Sequence, residues 1–156
     1  AAAAGRGGPR GRASGSSGPR WWTAMRDICP ISGFPVGLLP YPPLKLHLRR
    51  PGARSSSRFI DGPFLVLNIL STWNFEVLGY HLTMPDMQGI DEHMRRCKLG
   101  PFRLLRALEL QSLGTPEALQ ELEALRFRAA RRLDVLRHVQ QVRLAESEAQ
   151  HRQEPP

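Results

Sequence analysis

The sequence predicts a small α+β protein. A proline-rich extended arm leads into two or three short strands, then three helices with a long C-terminal helix, behind a disordered basic N-terminus. Three observations predict this. Residues 1–20 contain only Ala, Gly, Arg, Ser and Pro, which cannot build a core. Residues 21–43 are rich in apolar groups but carry Pro30, Pro35, Pro40, Pro42 and Pro43, which forbid a helix or a central strand. From Thr83 onward, apolar residues recur at helical spacing between Gly and Pro stops. The expected division is a tail over 1–20, an arm over 21–43, a folded domain over 44–149 and a polar tail over 150–156.

The elements follow in order. The arm reads as a polyproline-like segment lying on an apolar surface, of this chain or of a partner. Leu44-Lys45-Leu46-His47-Leu48 alternates strictly and reads as a half-buried strand with Lys45 and His47 outward. Arg49–Arg58 reads as a basic, Ser-rich loop. Phe64–Leu70 is either a second apolar strand after an Asp61-Gly62 turn or a short buried helix with Pro63 in its first turn. Phe75–Leu82 is a further strand candidate. Thr83-Met84-Pro85-Asp86 is a helix-capping signature, after which Met87, Ile90, Met94 and Cys97 share a face. Gly100-Pro101 ends that helix, and Phe102–Leu113 forms a short one stopped by Gly114. Thr115-Pro116-Glu117 opens the last helix, expected to reach about Ala149 with a stripe of Leu119, Leu122, Leu125, Ala129, Leu133, Leu136 and Val139. Such a rod outruns a small core, so its second half is expected to project or to pair with another helix.

Charge is distributed unevenly. Residues 1–60 hold ten Lys/Arg against one acid, whereas residues 61–100 hold three against five and residues 101–156 nine against eight. The basic excess therefore lies near the N-terminus. The Arg- and Ser-rich, acid-poor start reads either as a solvated basic tail or, by composition, as an organelle-targeting segment, and a start at Ala1 rather than Met fits a longer precursor or an incomplete N-terminus. The compartment this favours is a mitochondrion or plastid, with nucleus and cytoplasm as alternatives. The apolar run Phe64–Leu67 is far short of the ~18 residues of a membrane span, so no transmembrane segment is expected. Two cysteines exclude a disulfide-dense scaffold.

Four constellations bear on function. Cys29, His47, His81, His93 and Cys97 are the metal-ligand types present; His93 and Cys97 stand one helical turn apart. They lie on separate elements, and Cys97 falls on an apolar stripe, so no metal and no cofactor are expected. Asp86, Asp91 and Glu92 form the one local carboxylate cluster. Asp86 reads as a cap and the other two as solvated, so no catalytic residue is assigned. Pro40-Tyr41-Pro42-Pro43-Leu44-Lys45 has the spacing of a proline helix that docks an aromatic groove. Arg6, Arg10, Arg12, Arg20, Arg49, Arg50, Arg54 and Arg58 are candidate contacts to nucleic-acid phosphates, with Trp21, Trp22 and Tyr41 as stacking surfaces. Candidate partner contacts are Trp21, Trp22, Pro40, Tyr41, Pro43, Leu122, Leu125 and Leu136. Together these indicate a non-enzymatic accessory subunit of a larger assembly. A ribonucleoprotein with RNA backbone contacts is the first expectation. A purely protein complex, respiratory or photosynthetic, is the alternative, and a small metal-binding regulator or enzyme is the third.

Overall fold

A computed structural model describes residues 27–49, 52 and 56–153. The class is α+β, with four helices and two small antiparallel sheets among those residues. Strand β1 (Leu44–Leu48) keeps the alternation of its sequence: Leu44, Leu46 and Leu48 are buried, Lys45 and His47 exposed. It pairs with β2 (Ser56–Ile60), Leu44 opposite Ile60 and Leu48 opposite Ser56. The stretch expected as a loop up to Arg58 is thus strand from Ser56 onward. Edge pairing accounts for the difference, because β1 needs ladder partners along its length. His47 faces Ser57 across the ladder, and the Ser57 hydroxyl meets His47 Nδ1 at 2.7 Å.

Of the two readings of Phe64–Leu70, the helix holds, which raises the helix count from three to four. Helix α1 spans Gly62–Thr72. Asp61 caps it, accepting from the Phe64 amide at 3.2 Å, and Pro63 sits in its first turn. Phe64, Leu65, Val66, Leu67, Ile69 and Leu70 are all buried, so α1 is apolar on nearly every face and forms the centre of the core. Gly62 is needed for close packing: a Cβ there would stand 3.1 Å from the His93 ring. The strand expected over Phe75–Leu82 is a tight hairpin of β3 (Glu76–Val77) and β4 (Tyr80–His81). Leu78 and Gly79, between them, both take positive φ, 53° and 83°, the requirement of a turn that matches strand twist. Leu is an unusual residue there, which is why the sequence does not announce the turn.

Helix α2 (Met84–Arg96) starts on the expected capping box, with Thr83 and Asp86 bonded reciprocally. Helix α3 (Leu104–Leu113) ends at Gly114, whose φ of 67° suits a glycine C-cap. Helix α4 (Pro116–Gln153) opens where the Thr115 hydroxyl accepts from the Ala118 amide at 3.1 Å. Its 38 residues make a rod of roughly 57 Å. It packs on α1 and α3, while α2 packs on α1, α3 and β1. It also continues helically past Gln150, into the stretch expected as a tail. Beyond Leu144 none of its described residues is buried.

Candidate docking groove

Helix α4 has an inward and an outward side. Ala118, Leu122, Leu125, Ala129 and Leu133 are buried at successive steps of four, three, four and four residues. Leu136 is half-buried against the same core. Leu119 and Val139, expected on this stripe, are 42% exposed each, because a 3.6-residue period carries them to its flanks. Inward-facing Arg126 is fully used. Its Nε donates to the Leu70 carbonyl at 2.8 Å and Nη2 to the Ser71 carbonyl at 3.3 Å. Its guanidinium also lies over the Trp73 ring, 5.1 Å from the centroid. It thereby satisfies the carbonyls orphaned at the end of α1.

The outward side borders a groove of about 700 Å³. One wall is α4 from Arg128 to Val139. The other is the turn after α2. There the Leu99 amide donates to the Met94 carbonyl and the Lys98 amide to the Arg95 carbonyl. With Lys98 at φ 55°, this pair of bonds is a Schellman motif. The motif brings Leu99 over Met94 and leaves the Lys98 side chain exposed at the rim. Leu67, Met94 and Leu136 form the floor, and Tyr41 and Pro63 close one end. Val135 and Val139, 52% and 42% exposed, add apolar surface open to solvent. Lys98, Arg128, Arg131 and Arg132 ring the groove, and its lining contains no acid. None of the four has an acidic partner among the described residues. Arg131 stacks on Phe127, 5.9 Å from the ring centroid.

Behind the closed end lies a buried polar cluster. Asp61 is fully buried and receives three donors through its carboxylate: the Phe64 amide, the Tyr41 hydroxyl at 2.8 Å and the Gln140 side-chain amide. Its own amide donates to buried Cys29 Sγ at 3.4 Å. Burial pushes the Asp61 carboxyl above the usual carboxylate range, although all three bonds pull the other way. Burial, and then the Asp61 charge, push the Tyr41 phenol well above the usual tyrosine range, so it stays a donor. The cluster joins four segments, from Cys29 to Gln140, and pins the arm to the domain.

The structure distributes the sequence-derived candidates as follows. Residues 27–43 fold on their own chain. Cys29 and Phe34 close a turn by a backbone bond, Val36–Leu38 forms a 3-10 turn, and Cys29, Phe34 and Val36 are buried. Tyr41 serves both the cluster and the groove, Pro43 is half-buried and Pro40 is exposed. Leu122 and Leu125 are buried in the chain's own core. Arg49 is exposed just beyond the Leu48–Ser56 end of the β1–β2 ladder, and Arg58 is exposed opposite Leu46 in its middle. Arg6, Arg10, Arg12, Arg20, Trp21, Trp22, Arg50 and Arg54 lie outside the described residues.

Asp91, expected in solvent, instead caps α3. It accepts from the Leu104 amide at 2.8 Å and the Leu105 amide at 3.0 Å. The α3 N-cap, Arg103, offers no side-chain acceptor, so the neighbouring helix supplies one. Glu92 pairs with Arg95. His93 takes the buried position on α2 that the stripe gave to Cys97, which is half-buried at the helix end. Their Nδ1 and Sγ are 3.9 Å apart, and no third His, Cys, Asp or Glu joins them among the described residues. Burial, reinforced by Arg96, lowers the His93 pKa and keeps the ring neutral.

Sequence reading missed the groove cations Lys98, Arg128, Arg131 and Arg132 as a group. The available signal was a second apolar series, Val135, Val139 and Val142, at helical spacing beside a run of arginines. No helix among the described residues is long and apolar enough to cross a membrane. No protein-family model, curated protein or solved structure matches the chain.

Proposed function

We propose that this protein is a non-enzymatic accessory subunit of a larger assembly, held in place by protein contacts on the outward side of α4. The observation that carries the reading is the open apolar groove on a folded surface, with Val135 and Val139 half-exposed on its wall. Exposed, contiguous apolar surface rimmed by polar groups marks interaction sites. A supporting observation concerns the carboxylates that chemistry would need. Asp61, Asp86 and Asp91 are each engaged as helix caps. A ribonucleoprotein is the second reading for the assembly. It is favoured by the net charge of +8, concentrated near the N-terminus, and by exposed Arg49 and Arg58 on the hairpin.

Sedimentation of the native protein from gently lysed source cells, with and without ribonuclease, tests both. A large particle indifferent to ribonuclease is the expected result for protein docking. A large particle that ribonuclease collapses selects the ribonucleoprotein. Monomer mass in both samples overturns the assembly reading.

A further inference from the structure

We infer that the groove receives an acidic amphipathic helix of a partner protein. The inference rests on the accessory-subunit reading and gives the partner its chemistry. Three observations fix the occupant. First, the floor and walls are mainly aliphatic, Leu67, Met94, Leu99, Leu136 and the exposed Val135 and Val139, which suits leucine-like anchors better than stacked bases. Second, the rim is cationic without compensation. Residues 124–145 of α4 carry six arginines against Asp134 alone. Arg126 is engaged on α1 and Arg137 lies over the Phe64 ring, whereas Arg128 and Arg132 have no partner among the described residues. Lys98 adds a cation on the opposite wall. A second copy of this α4 face would bring like charges together, so carboxylates of a different chain are the complement. Third, the α4 wall from Arg128 to Val139 is roughly 16 Å long, about three turns of helix. That length holds anchors at i, i+4 and i+7 and allows flanking Glu or Asp residues to reach both rims.

The probe is a fluorescein-labelled, capped peptide of about 15 residues, Glu-rich, with leucines at i, i+4 and i+7. Anisotropy is read against the full chain in moderate salt. Tight, saturable binding is expected. The same composition with scrambled leucine spacing, and a version with Lys in place of Glu, should each bind at least about tenfold more weakly. The double variant Val135→Glu/Val139→Glu should lose at least about tenfold while keeping the wild-type circular dichroism and melting midpoint, since both side chains are about half-exposed. If that variant misfolds, Arg128→Glu/Arg132→Glu decides by the same criterion.

Equal binding of the scrambled peptide, or of wild type and variant, overturns the proposal, because the peptide then sits elsewhere on this basic chain. A single-stranded oligouridylate that binds wild type and is lost on the same variant overturns it in favour of RNA. The two readings fail separately. Absent groove binding in a protein that still sediments in a large particle sinks the groove alone, whereas groove binding in a protein of monomer mass sinks the assembly.

Discussion

Arg126 and Arg128 stand two residues apart on one helix, and the fold treats them in opposite ways. Arg126 reaches the last carbonyls of α1 and the Trp73 ring, so its charge is consumed by packing. Arg128, with Arg132 one turn on, faces outward at the groove and has no partner among the described residues. The inward side of α4 engages Arg126 and also Gln140, which would otherwise be a buried amide without an acceptor. The outward side leaves Arg128 and Arg132 without a partner among the described residues, beside apolar surface. Identical residue types therefore report structure on one side and availability on the other.

That contrast breaks most readily at Asp61. Asp61→Ala strands the Tyr41 hydroxyl, the Gln140 amide and the Phe64 amide together, so a loss of about 3 kcal/mol is expected in urea unfolding. A loss below 1 kcal/mol would mean the cluster does not hold the arm. Arg126→Ala comes next, at about 2 kcal/mol, from two charge-assisted bonds and one ring contact. Arg126→Lys should recover only part of this, since a single ammonium cannot copy the fork.

Two pH effects follow. The Asp61 pKa is raised by burial, so the folded state holds its proton more tightly than the unfolded state. Its contribution is present below the unfolded carboxylate value and is lost as pH rises through the folded value. Wild type should therefore fall in stability relative to Asp61→Asn as pH increases across that window; the opposite slope would show that the donors outweigh burial. The His93 pKa is lowered, which reverses the sign: stability is present above the unfolded histidine value and lost as pH falls through the folded one. His93 Nε2 is also buried without a well-formed hydrogen bond among the described residues. His93→Leu should flatten the acid limb and change neutral stability by about 1 kcal/mol or less. The smallest effect belongs to the outward side. Arg128→Glu/Arg132→Glu should shift stability by no more than about 0.5 kcal/mol, and a larger loss would show that these arginines are structural after all.

Legibility followed the range of the interactions. The alternation of Leu44–Leu48, the Thr83/Asp86 box and the Thr115-Pro116 start of α4 are local, and each could be read from a few adjacent residues. Phe64–Leu70 was ambiguous because a fully buried helix and a fully buried strand are both continuously apolar. Asp91 looked solvated because its partners, the α3 amides, lie 13 and 14 residues away. The Asp61 cluster joins residues 20 and 79 apart, and no periodicity encodes such a contact.

The sequence by itself determined the α+β class, the long last helix, its caps and the basic N-terminal excess, because these depend on short-range bonding and composition. Only the tertiary structure decided which arginines of α4 are used, where the arm lies and that a groove exists. Those outcomes require three or more distant segments to meet: the turn after α2, the wall of α4 and Tyr41 of the arm. Burial against α1 decides which side of α4 is closed, and no element among the described residues covers Val135 and Val139 on the other side.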